Sequence, residues 1–279
     1  MFKSDFEIYF NDKAVNNKPT LDDYIFIYKD NNVLTITDLK TPTLRELSTL
    51  SLNDFAYLFS FEDKNVFLCN DVIELDKYHT NTLREFLYLT EFRHTSIMFT
   101  AYHLKVWYEN NKYCGKCGNT FTKSKKERSL FCEKCYHILY PTISPVVIVG
   151  IYSEDELLLT KYAKGKYRNY ALVAGYVEVG ESLEECVSRE VFEEVGLKIK
   201  NIKYMGSQPW GISQTTIAGF YAEVDGSKEV KLDNNELAEG TWFKRCDLPR
   251  NNEGNGSITW ALIYNFRNNE DFLNNYENF

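Results

Sequence analysis

Glycine is missing from the first 114 residues; Gly115 is the first of the 14 in the chain. A front segment without glycine has no loop in which backbone N–H groups can crowd around a phosphate, so nucleotide chemistry is expected further along. Long apolar runs are missing too. None approaches the roughly 18 residues of a membrane span, and the opening MFKSDFEIYF places charges where an export signal has its apolar core. Positive charge is in deficit: 32 Lys and Arg face 40 Asp and Glu, a net charge of −8 that argues against bulk affinity for nucleic acid or anionic membrane. These absences lead us to expect a soluble, cytoplasmic protein without membrane partners. The seven cysteines cannot all pair, and four fall in CxxC spacing, which in a chain without an export signal points to metal rather than disulfides.

Apolar residues make up 44% of the 279 and aromatics 15%, enough for two compact cores. In the front segment, 5–38 reads as strands, with Tyr24–Lys29 and Val33–Thr37 flanking a turn at Asp30-Asn31-Asn32. Residues 43–51 and 82–90 read as helices. A further helix over 95–109 places Met98, Ala101, Leu104 and Trp107 or Tyr108 on one face. This part shows no catalytic constellation and reads as a scaffold or dimerisation domain. Beyond it, strands are expected at 146–152, 157–162, 170–173, 199–207, 216–224 and 239–244, with helices at 182–195 and 257–267. The fold class is therefore α+β, with domains at 1–108, 109–140 and 141–279.

Cys114-Gly-Lys-Cys117 and Cys132-Glu-Lys-Cys135 form two knuckles 14 residues apart. Such pairs can set four thiolates tetrahedrally around Zn²⁺, and a closed Cys₄ shell leaves no position for a reacting water, so its role is structural. A segment this short has little else to fold around. Residues 112–139 hold seven Lys or Arg against two Glu, a local charge of +5 that a Zn(Cys)₄ centre would reduce to +3. A solvated ribbon loop explains this, and a contact with RNA or phosphate is the alternative. His137 reads as an ordinary neighbour of the site, and Cys69, Cys186 and Cys246 as buried small residues.

The most informative stretch runs from Gly175 to Leu197. Ser182 is a good N-cap and Glu185 completes a capping box. Leu183, Val187, Val191 and Val195 form a buried stripe, and Gly196 can end the helix in the left-handed region. Glu190, Glu193 and Glu194 share one face at i, i+3 and i+4, with Arg189 in reach of Glu193. Crowded carboxylates repel one another, and a hard divalent cation such as Mg²⁺ removes the conflict. Gly175 and Gly180 allow the preceding loop to approach metal or phosphate closely.

Gly175, Glu181, Arg189, Glu190, Val191, Glu193, Glu194, Gly196 and Leu197 fill every fixed place of the Nudix box, Gx₅Ex₇REUxEExGU. With the double CxxC segment and a front domain, the chain resembles the NADH pyrophosphatase, or NAD-cap RNA decapping, subfamily of Nudix hydrolases. The resemblance covers about 95–279 through YCGKCG, YPTISPVVIVGI, the box, SQPW at 207–210 and ELAEGTWF at 236–243. It implies a mixed sheet sandwiched by helices, a homodimer, and Mg²⁺ or Mn²⁺ held by Glu190, Glu193, Glu194 and Glu239, with Arg189 in the catalytic set. It also implies substrate contacts from Tyr170, Ala174, Gly175, Gln208, Trp210 and Ile212, of which Tyr170 would stack on adenine. The implied reaction is hydrolysis of the pyrophosphate of NAD(H) to NMN(H) and AMP. NAD-capped RNA, ADP-ribose or another dinucleotide is the alternative substrate, and a non-catalytic nucleotide sensor the alternative class. One departure stands out: the subfamily continues SQPW with Pro-Phe-Pro, where this chain has Gly211-Ile212-Ser213. Ile212 thus replaces an aromatic that sandwiches the base.

Overall fold

The computed structural model describes residues 7–29, 32–36, 39–71, 73–74, 78–88, 92–164, 169–233, 235–250 and 256–274. The chain forms two compact units: one comprises Ser4–Thr142 with Gly211–Gln214, the other Ile143–Trp210 with Thr215–Phe279.

In the first unit the strands are β1 (Ile8–Tyr9), β2 (Tyr24–Phe26), β3 (Tyr28–Lys29), β4 (Asn32–Leu34), β5 (Phe55–Phe61), β6 (Lys64–Cys69) and β7 (Thr80–Thr82). They make one sheet in the order β1-β5-β6-β2 and another in the order β3-β4-β7. The hairpin expected from the sequence is β3–β4, with Tyr28 opposite Val33; its turn residues Asp30 and Asn31 lie outside the described residues. Helix α1 (Phe92–Asn110) buries Met98, Ala101, Leu104 and Trp107, the face that the apolar spacing gives. A three-stranded sheet of β8 (Thr122–Lys123), β9 (Leu130–Phe131) and β10 (Ile138–Leu139) carries the cysteine knuckles.

Residues 43–51 do not form the expected helix; 44–49 are turns. The segment starts as a helix would, with the Thr43 N–H and hydroxyl both donating to the Glu46 carboxylate at 2.8 and 2.7 Å. It then continues mostly through three-residue bonds, such as Ser48 N–H to Arg45 C=O and Leu50 N–H to Leu47 C=O. Ser48, Thr49 and Ser51 offer the backbone local competition that disfavours a helix interior. Of the helix expected at 82–90, the described residues form a 3₁₀ turn over Glu85–Tyr88, and 89–90 lie outside them.

In the second unit, β14 (Ile199–Trp210), β15 (Thr215–Val224), β11 (Ser144–Ser153), β12 (Glu156–Tyr162) and β16 (Leu237–Lys244) lie side by side in that order, and β13 (Val173–Tyr176) also pairs with β11. The β11–β15 pair is parallel and the other pairs are antiparallel. Alternation along β11 sorts its side chains between two cores. Val147, Val149 and Ile151 pack with Val187, Val191 and Val195 of helix α2 (Leu183–Val195), whereas Ile148 packs with Ile258, Leu262 and Phe266 of helix α3 (Ile258–Asn268). A period-2 strand thus serves a helix on each face, which is the sandwich implied above. Each fully buried valine of the α2 stripe contributes about 1.5–3 kcal/mol of hydrophobic stabilisation.

Candidate functional site

Helix α2 is fixed at both ends by local chemistry. The Ser182 hydroxyl accepts from the Glu185 N–H at 3.2 Å, and the Glu185 carboxylate accepts from the Ser182 N–H at 2.7 Å. Gly196 ends the helix at φ 68°, where its N–H donates to the Phe192 carbonyl. With the buried stripe facing the sheet, the remaining rotation is set: Arg189 and Glu190 meet strand β13 and its following loop, Glu194 lies near Asp233 and Glu236, and Glu193 is exposed.

Arg189 is the hub. Its Nε and Nη2 fork onto Glu181 at 3.1 and 2.6 Å, and Nη2 also donates to the Tyr176 carbonyl at 3.0 Å. Its Nη1 reaches Glu190 at 2.8 Å and Glu193 at 3.0 Å. The guanidinium holds the Glu181 carboxyl down at about 2, helped by the Glu178 N–H. Arg189 itself is pushed above its ordinary range, chiefly by Glu181.

One cation does not balance the cluster. Burial raises Glu190, and burial pushes Glu194 up to about 8, reinforced by Glu190, Glu236, Asp233 and Glu193. The three glutamates share a face but not an environment: the side chains of Glu190 and Glu193 are 12% and 58% exposed, and Glu194 is 5% exposed. Gly175 is the counterpart of Glu190. A Cβ built on Gly175 would lie 1.9 Å from the Glu190 carboxyl carbon and 2.0 and 2.3 Å from its oxygens. Glycine is needed there for space, because the carboxylate occupies the volume a side chain would take. A buried, charge-rich carboxylate group short of positive charge is a donor set suited to a hard divalent cation. Among the described residues, however, only the four cysteines form a set of three or more with ligand atoms all within 4.8 Å. Glu181, Glu190 and Glu193 turn their oxygens to Arg189, and Glu194 does not.

Glu239 lies on β16 opposite Lys161 of β12. Its carboxylate accepts from Lys161 Nζ at 2.7 Å, from the Tyr170 hydroxyl at 2.6 Å and from Thr241 Oγ1 at 3.1 Å. Lys161 first and Tyr170 second hold it below the usual carboxylate range. Lys161 Nζ also sits 4.0 Å from the centre of the Tyr170 ring, which meets Phe243 edge-on. Ala174 and Gly175 are half-buried on β13, opposite Ile148 and Val147.

Gln208 has both ends of its amide engaged: Nε2 donates to the Gly256 carbonyl at 2.5 Å, and Oε1 accepts from the Ile258 N–H at 2.8 Å. It caps the first turn of α3, where the Ser257 side chain makes no cap bond. Trp210 closes β14 opposite Thr215, and Ile212 falls in the Gly211–Gln214 segment of the first unit, its carbonyl accepting from Gln214 Nε2 at 3.1 Å.

Two further residues at the site occupy no fixed place of a motif. Lys161 had no signal beyond strand alternation, because its partner Glu239 lies 78 positions away. Tyr176 follows Gly175 directly and is 56% exposed, with its carbonyl on Arg189. An aromatic beside the box glycine was the available signal.

The cysteine site is compact. Cys114 Sγ lies 3.6 Å from Cys135 Sγ, and Cys117 Sγ lies 3.5 Å from Cys132 Sγ. Sulfurs of a tetrahedral centre with bonds near 2.3 Å stand about 3.8 Å apart, so the donors fit zinc. The knuckles repeat one another: the Gly118 N–H donates to the Cys114 carbonyl and the Tyr136 N–H to the Cys132 carbonyl, both at 2.8 Å.

The family described as NUDIX domain matches residues 142–261. That stretch is similar to the NUDIX family. It is 42% identical over 146 residues to proteins named NAD-capped RNA hydrolase NudC from Escherichia coli (strain SMS-3-5 / SECEC) and from Salmonella heidelberg (strain SL476), which covers 52% of this chain and 56% of each relative. The chain thus spans about half the length of the curated relatives it matches. A crystal structure of a NUDIX hydrolase from Nitrosomonas europaea superposes with a TM-score of 0.48 at 23% identity, over 56% of this chain and 90% of that one. The matched residues include β13, α2 and β16, and therefore every carboxylate of this site.

Proposed function

We propose that the chain hydrolyses the pyrophosphate bond of NAD(H), giving NMN(H) and AMP, with Mg²⁺ or Mn²⁺ held by Glu190, Glu193 and Glu194 and completed by Glu239. The observation that carries this reading is the carboxylate group on α2, with Glu194 buried and the Glu190 side chain mostly buried, under-compensated by Arg189, and with space for Glu190 left by Gly175. A divalent cation bound there supplies Lewis acidity toward the phosphoryl oxygens and a water of lowered pKa. Arg189 orients Glu190 and Glu193 from one nitrogen while its fork on Glu181 anchors it to the loop. Lys161 and Tyr170 hold the carboxylate of Glu239 ionised. In the reaction, water oxygen bonds to one phosphorus, the bridging P–O bond breaks, and the water proton passes to a carboxylate of this group. The same reading takes the four cysteines as a structural zinc site, the protein as a cytoplasmic homodimer, and Ala174, Gly175, Tyr170, Trp210 and Ile212 as substrate contacts. Gln208 would act through α3, which it caps.

NAD-capped RNA is the second reading. The basic segment 112–139 favours it, as do the names of the relatives. A product assay across NADH, NAD⁺, ADP-ribose and NAD-capped RNA, with and without Mg²⁺ and with products identified by mass, separates these substrates. Release of NMN(H) and AMP that needs the cation is expected. Absence of any cation-dependent product from the four would overturn the reading and leave nucleotide binding without chemistry.

A further inference from the structure

Two of the most exposed aromatic side chains flank the cysteine site: Tyr113 is 67% exposed and Tyr136 is 76% exposed. Tyr113 precedes Cys114 and Tyr136 follows Cys135, and these cysteines place their sulfurs 3.6 Å apart. The two tyrosines therefore neighbour one cysteine pair. Lys112, Lys116 and Lys134 lie within two residues of the same cysteines, all exposed, and none is in an ion pair among the described residues.

The backbone at Tyr136 is the telling detail. In the first knuckle, the position after the second cysteine is Gly118 at φ 73°; in the second, the same position is Tyr136 at φ 59°. Glycine adopts this left-handed conformation freely, whereas a tyrosine is strained in it. The ring meets Phe131 tilted at 6.1 Å between centroids and otherwise stays largely in solvent. The knuckle turn sets this backbone, as it does at Gly118, and a tyrosine in place of glycine there leaves a large ring 76% exposed for contact.

We propose that this ribbon face is a stacking platform for single-stranded RNA, with Tyr113 and Tyr136 meeting bases and Lys112, Lys116 and Lys134 meeting phosphates. Every base offers a π-face to an aromatic ring, and unpaired lysines match a polyanion in a chain that is otherwise acidic. Tyrosine is common at protein–protein interfaces but lysine is depleted there, so the three lysines favour a polyanion over a protein partner. The choice of RNA rests on the capped-RNA reading above; the surface itself does not depend on the NUDIX chemistry.

The test is fluorescence anisotropy of the zinc-loaded full chain with an unstructured RNA of about 12 nucleotides, a length such surfaces span. Wild type should bind, with affinity falling about 20-fold between roughly 50 and 200 mM salt for three phosphate contacts. Tyr136→Gly should keep or raise Tm, because it relieves the backbone, yet bind about 5- to 100-fold more weakly. Tyr113→Ser should weaken binding similarly, Tyr136→Phe should retain it, and NADH turnover should be unchanged in all three. No RNA binding by wild type, or wild-type affinity in Tyr136→Gly, overturns the proposal. So does equal or tighter binding of DNA of the same sequence, or an oligomeric state that shifts with Tyr136. If RNA binds as described but no substrate is hydrolysed, the catalytic reading fails and this one stands.

Discussion

Replacing Gly175 by alanine tests the site where its geometry is tightest. The new methyl would sit 1.9 Å from the carboxyl carbon of Glu190. Ordinary contact is about 3.5 Å, so the carboxyl group has to retreat by about 1.5 Å. It cannot do so freely, because its oxygen is bonded to Arg189 at 2.8 Å and its side chain is mostly buried. Overpacking of this kind costs about 1–3 kcal/mol of stability. Misplacing a reacting group by about 1 Å costs about 100-fold in rate, or about 2.7 kcal/mol of transition-state stabilisation. Gly175→Ala is therefore expected to lower kcat/KM for NADH about 100-fold while the chain still unfolds cooperatively. The assay is Mg²⁺-dependent NADH hydrolysis with a thermal melt alongside. Because the effect runs through Glu190, adding Glu190→Gln to Gly175→Ala should cost much less than Glu190→Gln costs alone. Additive losses, or near-normal turnover in Gly175→Ala, would refute the reasoning.

Glu193→Gln should cut kcat by several orders of magnitude with little change in melting temperature, since Glu193 is exposed and its pair with Arg189 lies at the surface. Arg189→Lys should lower kcat/KM about 10- to 100-fold, because a single ammonium cannot fork onto Glu181 and still reach Glu190 and Glu193; steady-state kinetics on purified variants check both. Glu194 has a folded pKa of about 8 against an ordinary 4.5, so the folded state binds more protons between those values. Stability without added divalent cation should then fall as pH rises from about 4.5 to 8, and Mn²⁺ should restore more of it at the upper end. Glu181, held at about 2, acts oppositely, losing its contribution as pH drops below 4.5. Denaturant melts across pH measure both arms, and a flat profile from 5 to 8 would contradict the Glu194 assignment. Cys132→Ser should lower bound zinc from one per chain toward none and melt the ribbon, read by metal analysis and by loss of hydrogen-exchange protection over 112–139.

What could be read in the sequence was governed by short-range rules. The capping box at Ser182 and Glu185, the left-handed stop at Gly196 and the valine stripe all act within a few residues, and all are present in α2. The apolar run of β11 and the spacing of the four cysteines were equally plain. The misses came from partners distant in sequence. Gln208 reads as part of a signature, yet its amide is spent on the start of α3, 48 and 50 residues later. The strand expected at 170–173 forms instead at 173–176; Ala171 makes only an isolated bridge to Thr160, and Tyr170 turns its hydroxyl to Glu239. The mutual fit of Gly175 and Glu190 joins a strand to a helix 15 positions on, and no periodicity encodes it.

Manganese binding tests the central claim most directly. Titration of the full chain with Mn²⁺, free ion read by electron paramagnetic resonance, should show sites in wild type that Glu190→Gln, Glu193→Gln and Glu194→Gln each weaken at least tenfold. Undiminished binding in all three variants would contradict the account.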